Sequence, residues 1–263
     1  MSAPARSLAV PRSVQVGGLT YRVHGSPAPD AARLPIVLVH GIGMSHRYLA
    51  RLHRELTRDR AVFSLDLPGF GGLPRPRHDA SVPEIARGLA EVVESLSDGP
   101  VILVGQSMGS QWVVELARQR PDLVSSVVVI GPVVDVRHRT AAAQMRALAI
   151  DTFVERPTTN AILIADYLRC GVPWYLAQLR HMLRYRIEDA VGELTMPLLV
   201  LRGSRDPIAS TDWCRMLRDR AGDSAFATIP GGPHNVQRTA PRATASAIRA
   251  YVDVMAVPGR RER

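Results

Sequence analysis

The sequence predicts an α/β fold: a mainly parallel, eight-stranded sheet flanked by helices, with a helical segment inserted into it. Three observations carry this expectation. Short aliphatic runs alternate with amphipathic helical patterns along the whole chain. The runs are continuously apolar, as suits strands covered on both faces. The stretch 133–193 breaks the alternation, with helical patterns and no strand run. The expected organisation is therefore a core in two parts, 1–132 and 194–263, with a cap, 133–193, over the sheet's C-terminal edge.

The elements can be placed in order. Val14-Gln15-Val16 and Leu19 to Val23 flank Gly17-Gly18, a hairpin signal. Buried strands follow at Ile36 to Val39, Val62 to Leu65, Val101 to Val104, Val127 to Ile130, Leu198 to Leu201 and Phe226 to Ile229. Ser81-Val82-Pro83-Glu84 is a capping box with proline in the first helical turn, where its missing N–H does no harm. Ile85, Leu89, Val92, Val93 and Leu96 then share one helix face, and Ala245, Ile248, Tyr251, Val252 and Met255 repeat the pattern near the end. Pro157, Gly171 and Pro173 punctuate the helical insertion.

Composition bounds the function. The 263 residues are 46% hydrophobic and 22% charged, enough apolar material for one large domain. No apolar run approaches the roughly 20 residues of a membrane span. Met1 to Arg6 has no apolar signal core, so a cytoplasmic protein without membrane association is expected. The net charge of +9 comes entirely from arginine, since the chain has no lysine. Those arginines are interleaved with acids, as in Arg58-Asp59-Arg60, and no reading motif accompanies them, so nucleic acid is not an expected partner. Cys170 and Cys214 lack neighbouring ligands and read as packed thiols. A phosphate-binding loop and a zinc helix are both missing, so neither cofactor nor metal is expected.

The chemistry begins at Gly105-Gln106-Ser107-Met108-Gly109, between the strand ending at Val104 and a helix expected from Met108 to Gln119, stopping before Pro121. A serine on such a turn projects above the sheet edge, and needs a base that is itself oriented by a third group. Asp206 follows the strand ending at Leu201, and His234 follows the strand ending at Ile229. The order Ser, Asp, His is the one expected for this elbow on this architecture. Asp206 before Pro207 also suits a simple turn, and Asp135, after Ile130-Gly131-Pro132, is the alternative acid.

These residues, with His40-Gly41-Ile42-Gly43 and Asp66-Leu67-Pro68-Gly69-Phe70-Gly71, make the chain resemble the α/β-hydrolase superfamily along nearly its whole length, in particular its lidded serine hydrolases and esterases. The resemblance implies Ser107 as nucleophile, His234 as general base and acid, and Asp206 as the orienting carboxylate. It implies the Ile42 and Met108 N–H groups as oxyanion donors, with His40 bracing their loop. Trp174, Tyr167 and Met182 are candidates for the substrate pocket, although core packing is the competing role for such residues. His53 and His78 read as surface residues; His46 and His181 could face the pocket.

The expected reaction is hydrolysis of a carboxylic ester, thioester or lactone of a small, largely apolar substrate. Two alternatives stand beside it. One is hydrolytic cleavage of a carbon–carbon bond next to a ketone, against which Met44-Ser45 and Asn235 occupy places where such relatives carry glycines and an aromatic residue. The other is a non-hydrolytic small-molecule binder. The expected assembly is a monomer or homodimer.

Overall fold

A computed structural model of the chain describes residues 11–30, 32–140 and 165–255. The strands are β1 (Arg12–Val16), β2 (Leu19–Ser26), β3 (Ile36–Val39), β4 (Val62–Asp66), β5 (Val101–Gln106), β6 (Val124–Ile130), β7 (Leu198–Gly203) and β8 (Ser224–Ile229). The helices are α1 (His46–Leu56), α2 (Val82–Glu94), α3 (Gly109–Gln119), α4 (Val172–Arg184), α5 (Ile187–Ala190), α6 (Thr211–Arg220), α7 (Val236–Thr239) and α8 (Pro241–Met255). All eight strands lie where the aliphatic runs placed them.

They form one sheet in the order β1-β2-β4-β3-β5-β6-β7-β8. β2 runs antiparallel to β1 and β4, and every other pairing is parallel. Each run of aliphatics divides between the two faces by the period of two that a strand imposes. Val37, Val39, Leu103, Val127, Val129, Leu198 and Val200 belong to the core that holds α2, α3 and α6. Ile36, Leu38, Ile102, Val104, Val128, Ile130, Leu199 and Leu201 belong to the core under α1 and α8. The exception is β8, which reads as a fully covered strand but is the sheet's edge, where only Ile229 is buried.

Local signals hold with one modification. Ser81 Oγ accepts the Glu84 N–H at 3.4 Å and starts α2, but the Glu84 carboxylate turns to His78 instead of completing the capping box. α3 ends at Gln119, and Pro121 opens the next turn. After β6 the chain leaves the sheet; the described parts of 133–193 contain no strand and include helical stretches at 165–170, α4 and α5. Pro157 lies outside the described residues. No helix among the described residues is long and apolar enough to cross a membrane.

β3 is followed by β4 on one side, and the chain then crosses to place β5 on the other. That reversal, at the carboxyl ends of β3 and β5, is the position at which open α/β sheets place their ligands.

His53 is not a surface residue. It is 5% exposed, with Nδ1 2.7 Å from Ser64 Oγ and Nε2 2.9 Å from Ser26 Oγ. Burial, with the nearby His24 and His46, lowers its pKa from 6.5 to about 4. A folded-state pKa below the unfolded one means the unfolded chain binds the proton first. Stability is therefore complete above about pH 6.5 and falls as the pH drops towards 4, by about 3 kcal/mol at most. Urea unfolding at pH 7 and pH 4.5 should show this loss, and His53→Gln should reduce the difference; an unchanged difference would mean that other groups carry it.

Candidate active site

Ser107 has φ +54°, the only non-glycine residue with positive φ among the described residues. Such backbone strain persists only where the surroundings enforce it. Here the flanking glycines explain how. A Cβ at Gly105 would lie 2.4 Å from the Gly109 carbonyl oxygen, and a Cβ at Gly109 would lie 2.5 Å from the Val39 oxygen. Both obstacles are backbone, so the tight passage from β5 into α3 requires glycine at both positions. The Ser107 N–H donates to the Ile130 carbonyl at 2.9 Å, tying the turn to the end of β6.

Asp206 and His234 come together from the loops after β7 and β8. His234 Nδ1 lies 2.9 Å from Asp206 Oδ2, and both side chains are buried. Asp206 Oδ1 accepts the Ile208 and Ala209 N–H groups at 2.8 and 2.9 Å. Burial alone would raise this carboxyl's pKa; the adjacent His234 and the backbone donors outweigh it and hold the pKa below the ordinary range. The carboxylate thus stays charged beside the imidazole. Asp135, the alternative acid, is engaged elsewhere, accepting Ser210 Oγ at 2.7 Å and pairing with Arg137 at 3.2 Å.

Gly131 links the histidine to the elbow. It follows Ile130, which holds the Ser107 N–H, and a Cβ there would lie 2.8 Å from the His234 ring. Serine and imidazole thus flank the same turn. Among the described residues no hydrogen bond joins the Ser107 hydroxyl to His234 Nε2, and contacts of this kind can tighten when substrate binds.

The loop after β3 lies against the elbow: a Cβ at Gly41 would be 3.0 Å from Ser107 Cβ. Among the described residues, neither the Ile42 nor the Met108 N–H has a protein acceptor. His40 braces this loop from the core side. Its Nε2 accepts the Leu67 N–H at 3.2 Å, so its proton sits on Nδ1 and is donated to Gly41 O at 2.7 Å. Complete burial disfavours the charged ring and lowers its pKa, in keeping with this neutral tautomer.

The three pocket candidates lie on the stretch between β6 and β7, against the loops and helices that follow the parallel strands. The Trp174 indole donates to Pro68 O at 3.1 Å and packs over Gly69. Met182 belongs to the main core, and its carbonyl accepts Gln111 Nε2. The Tyr167 ring covers Gly43 in the loop after β3 and meets Tyr175 edge-on at 5.3 Å between centroids. Of the two remaining histidines, His181 Nε2 pairs with Asp79 at 2.9 Å and His46 Nδ1 with Asp66 at 3.0 Å.

Sequence reasoning missed two supports. Arg202, 6% exposed, donates to Asp206 O, Ala209 O and Thr211 Oγ1, stapling the acid's loop. Asp66 gathers His24 Nε2 at 3.0 Å, the His46 N–H at 2.7 Å and His46 Nδ1 at 3.0 Å. Burial pushes that carboxyl's pKa up, but the two histidine contacts reverse this and hold it far below the ordinary range. The motif glycine Gly71 is explained here, since a Cβ would lie 2.6 Å from the Asp66 carboxyl carbon.

His24, His46 and Asp66 are also the one group among the described residues whose donor atoms, all within 4.8 Å of one another, match a metal-ligand set. Their arrangement does not suit an ion. The two imidazoles stack at 3.4 Å with planes 19° apart, so one ion could not lie in both ring planes at the short distance that imidazole coordination requires. Arg22, 3.8 Å from Asp66, adds a competing cation. The cluster is a hydrogen-bonded hub.

A strained serine between strand and helix, a buried carboxylate–imidazole pair and a glycine-rich loop opposite them characterise one class of α/β proteins. The chain belongs to the alpha/beta hydrolase family, whose family model matches residues 36–247. Curated relatives include (E)-2-((N-methylformamido)methylene)succinate hydrolase of Acinetobacter baylyi, 26% identical over 83% of this chain and 90% of the relative. Another is 2-(acetamidomethylene)succinate hydrolase of Mesorhizobium japonicum, 24% identical over 93% of this chain and 95% of the relative. Among solved structures, an esterase from Thermogutta terrifontis superimposes with TM-score 0.79 at 21% identity, covering 95% of this chain and all of that one.

Proposed function

We propose that the protein is a serine hydrolase that cleaves a carboxylic ester, thioester or lactone of a small, largely apolar substrate through an acyl-serine intermediate. The observation that carries this reading is the Asp206–His234 pair, buried next to the turn that holds Ser107 in its strained conformation. Ser107 Oγ attacks the carbonyl carbon as His234 Nε2 takes its proton. His234 then returns that proton to the leaving alcohol or thiol, and water releases the acid by the same steps in reverse. Asp206 fixes the imidazole with Nδ1–H towards itself. The Ile42 and Met108 N–H groups receive the charge that develops on the carbonyl oxygen, Met108 with the added field of the α3 N-terminus.

A second reading is favoured by the two relatives named as hydrolases of acylaminomethylene succinates, which match nearly end to end. The same groups would there release an amine in place of an alcohol. The carbon–carbon reading has less support. Asn235 occupies the place of the aromatic residue and is 2% exposed, its Oδ1 accepting Gln106 Nε2 at 3.3 Å.

A fluorophosphonate probe separates a hydrolase from a binder. Wild type should label and Ser107→Ala should not; an unlabelled, folded wild type would favour a non-hydrolytic protein. p-Nitrophenyl esters of graded length, run beside an N-acylated enamine, would then divide the ester reading from the amide one.

A further inference from the structure

The loop that carries Ile42 is pinned at both ends, and one of its pins belongs to the cap. At its start, His40 ties Gly41 to Leu67 within the core. At its end, two buried carboxylates hold consecutive residues. Asp66, from β4, accepts the His46 N–H at 2.7 Å. Asp166, from the cap, accepts Ser45 Oγ at 2.6 Å.

Asp166 is an unusual residue to find here. It is 2% exposed, and its other partners are Arg169 at 3.3 Å and Arg47 at 4.0 Å, both of them reaching in from the surface. Ser45 is the N-cap of α1, so its hydroxyl sits where the loop turns into the helix. The next cap residue, Tyr167, packs its ring against Gly43, which has φ +73° and where a Cβ would come within 2.1 Å of Tyr167 Cε1. Cap and loop are thus in contact at two successive cap residues on either side of Met44, directly beside the Ile42 N–H.

We propose that Asp166 is a positioning residue that sets the oxyanion donor at Ile42 through its bond to Ser45, so that the donor is in register only while the cap is seated. This inference rests on the serine hydrolase reading above. The chemistry follows from the difference between donating to a ground-state carbonyl and to a tetrahedral oxyanion. A loop that relaxes by a few tenths of an ångström still admits substrate, but it loses the stronger hydrogen bond of the transition state. The loss should appear in kcat and leave KM nearly unaltered.

The test compares Asp166→Ala, Asp166→Asn, Ser45→Ala and the Ser45→Ala/Asp166→Ala pair, each checked for a wild-type circular dichroism spectrum. The readouts are kcat and KM on a p-nitrophenyl ester and inhibition by an alkylboronic acid, which forms a tetrahedral adduct on the serine. Asp166→Ala should lower kcat about tenfold, less than the 10²–10³ of a deleted donor, weaken the boronate by a similar factor and change KM less than about twofold. Asp166→Asn keeps an acceptor for Ser45 and should recover most of the rate. The double variant should match the worse single. A rise in KM alone, full activity in Asp166→Ala, or multiplicative losses in the double variant would each overturn the proposal. A wild type that neither turns over the ester nor binds the boronate would instead overturn the hydrolase reading, and this inference with it.

Discussion

Replacing Ser107 with alanine is expected to lower ester turnover by about 10⁴- to 10⁶-fold, and His234→Ala by a comparable factor. The Ser107→Ala/His234→Ala double variant should be little worse than either single. An alcohol without its base is a poor nucleophile, and a base without its alcohol has no proton to move, so the second loss removes nothing more. The measurement is kcat on one p-nitrophenyl ester for the three variants, with thermal unfolding as the check that each is folded. Losses that multiply would mean that the two side chains act on separate steps, and a shared mechanism would have to be abandoned.

The second large effect is expected at a residue with no functional side chain. Gly131→Ala should reduce kcat by about 10²-fold or more. Its φ of +56° penalises any side chain, and the new methyl would press on the His234 ring at 2.8 Å and on Asp206 Oδ2 at 3.1 Å. Retreat of the backbone is blocked, because the Gly131 N–H is bonded to Leu201 O at 2.8 Å in the sheet. The ring must therefore move instead. Gly72→Ala supplies the control, with φ +80° and nothing within 4 Å of the new atom. It should lose about 1–3 kcal/mol of stability while keeping its turnover. Equal activity losses in the two variants would show that backbone strain, and not displacement of His234, is responsible.

The contrast between these positions shows what can be read from residues alone. Strand-forming aliphatic runs declare themselves, because burial on both faces leaves no room for polar residues, and all eight were placed from sequence. The elbow, the acid and the histidine are legible for a related reason: each follows a strand directly, and strand ends are the fixed points of this architecture. Residues whose roles depend on partners far along the chain are not legible. His53 reads as a surface histidine between Leu52 and Arg54 until Ser64 and Ser26 are brought to its two nitrogens by β4 and β2. Asp166 and Ser45 are separated by 121 positions, and nothing near either suggests the other. Trp174 and Met182 are ambiguous because an aromatic or methionine on a covering helix packs inward and lines a cleft with equal ease; in the structure the Trp174 indole donates to Pro68 O and Met182 is buried in the main core. The edge position of β8 was hidden because Phe226-Ala227-Thr228-Ile229 is apolar enough for either setting.

The contact between the Trp174 indole and Pro68 also gives the chain an optical reporter. Only three tryptophans occur in the sequence, and two of them, Trp112 and Trp213, are enclosed within the body at 0% and 1% exposure. Displacement of α4 from Pro68 would bring water to the third, Trp174. With Trp112→Phe and Trp213→Phe in place, the wavelength of the remaining emission should report any displacement of α4 from the Pro68 loop, without an attached dye.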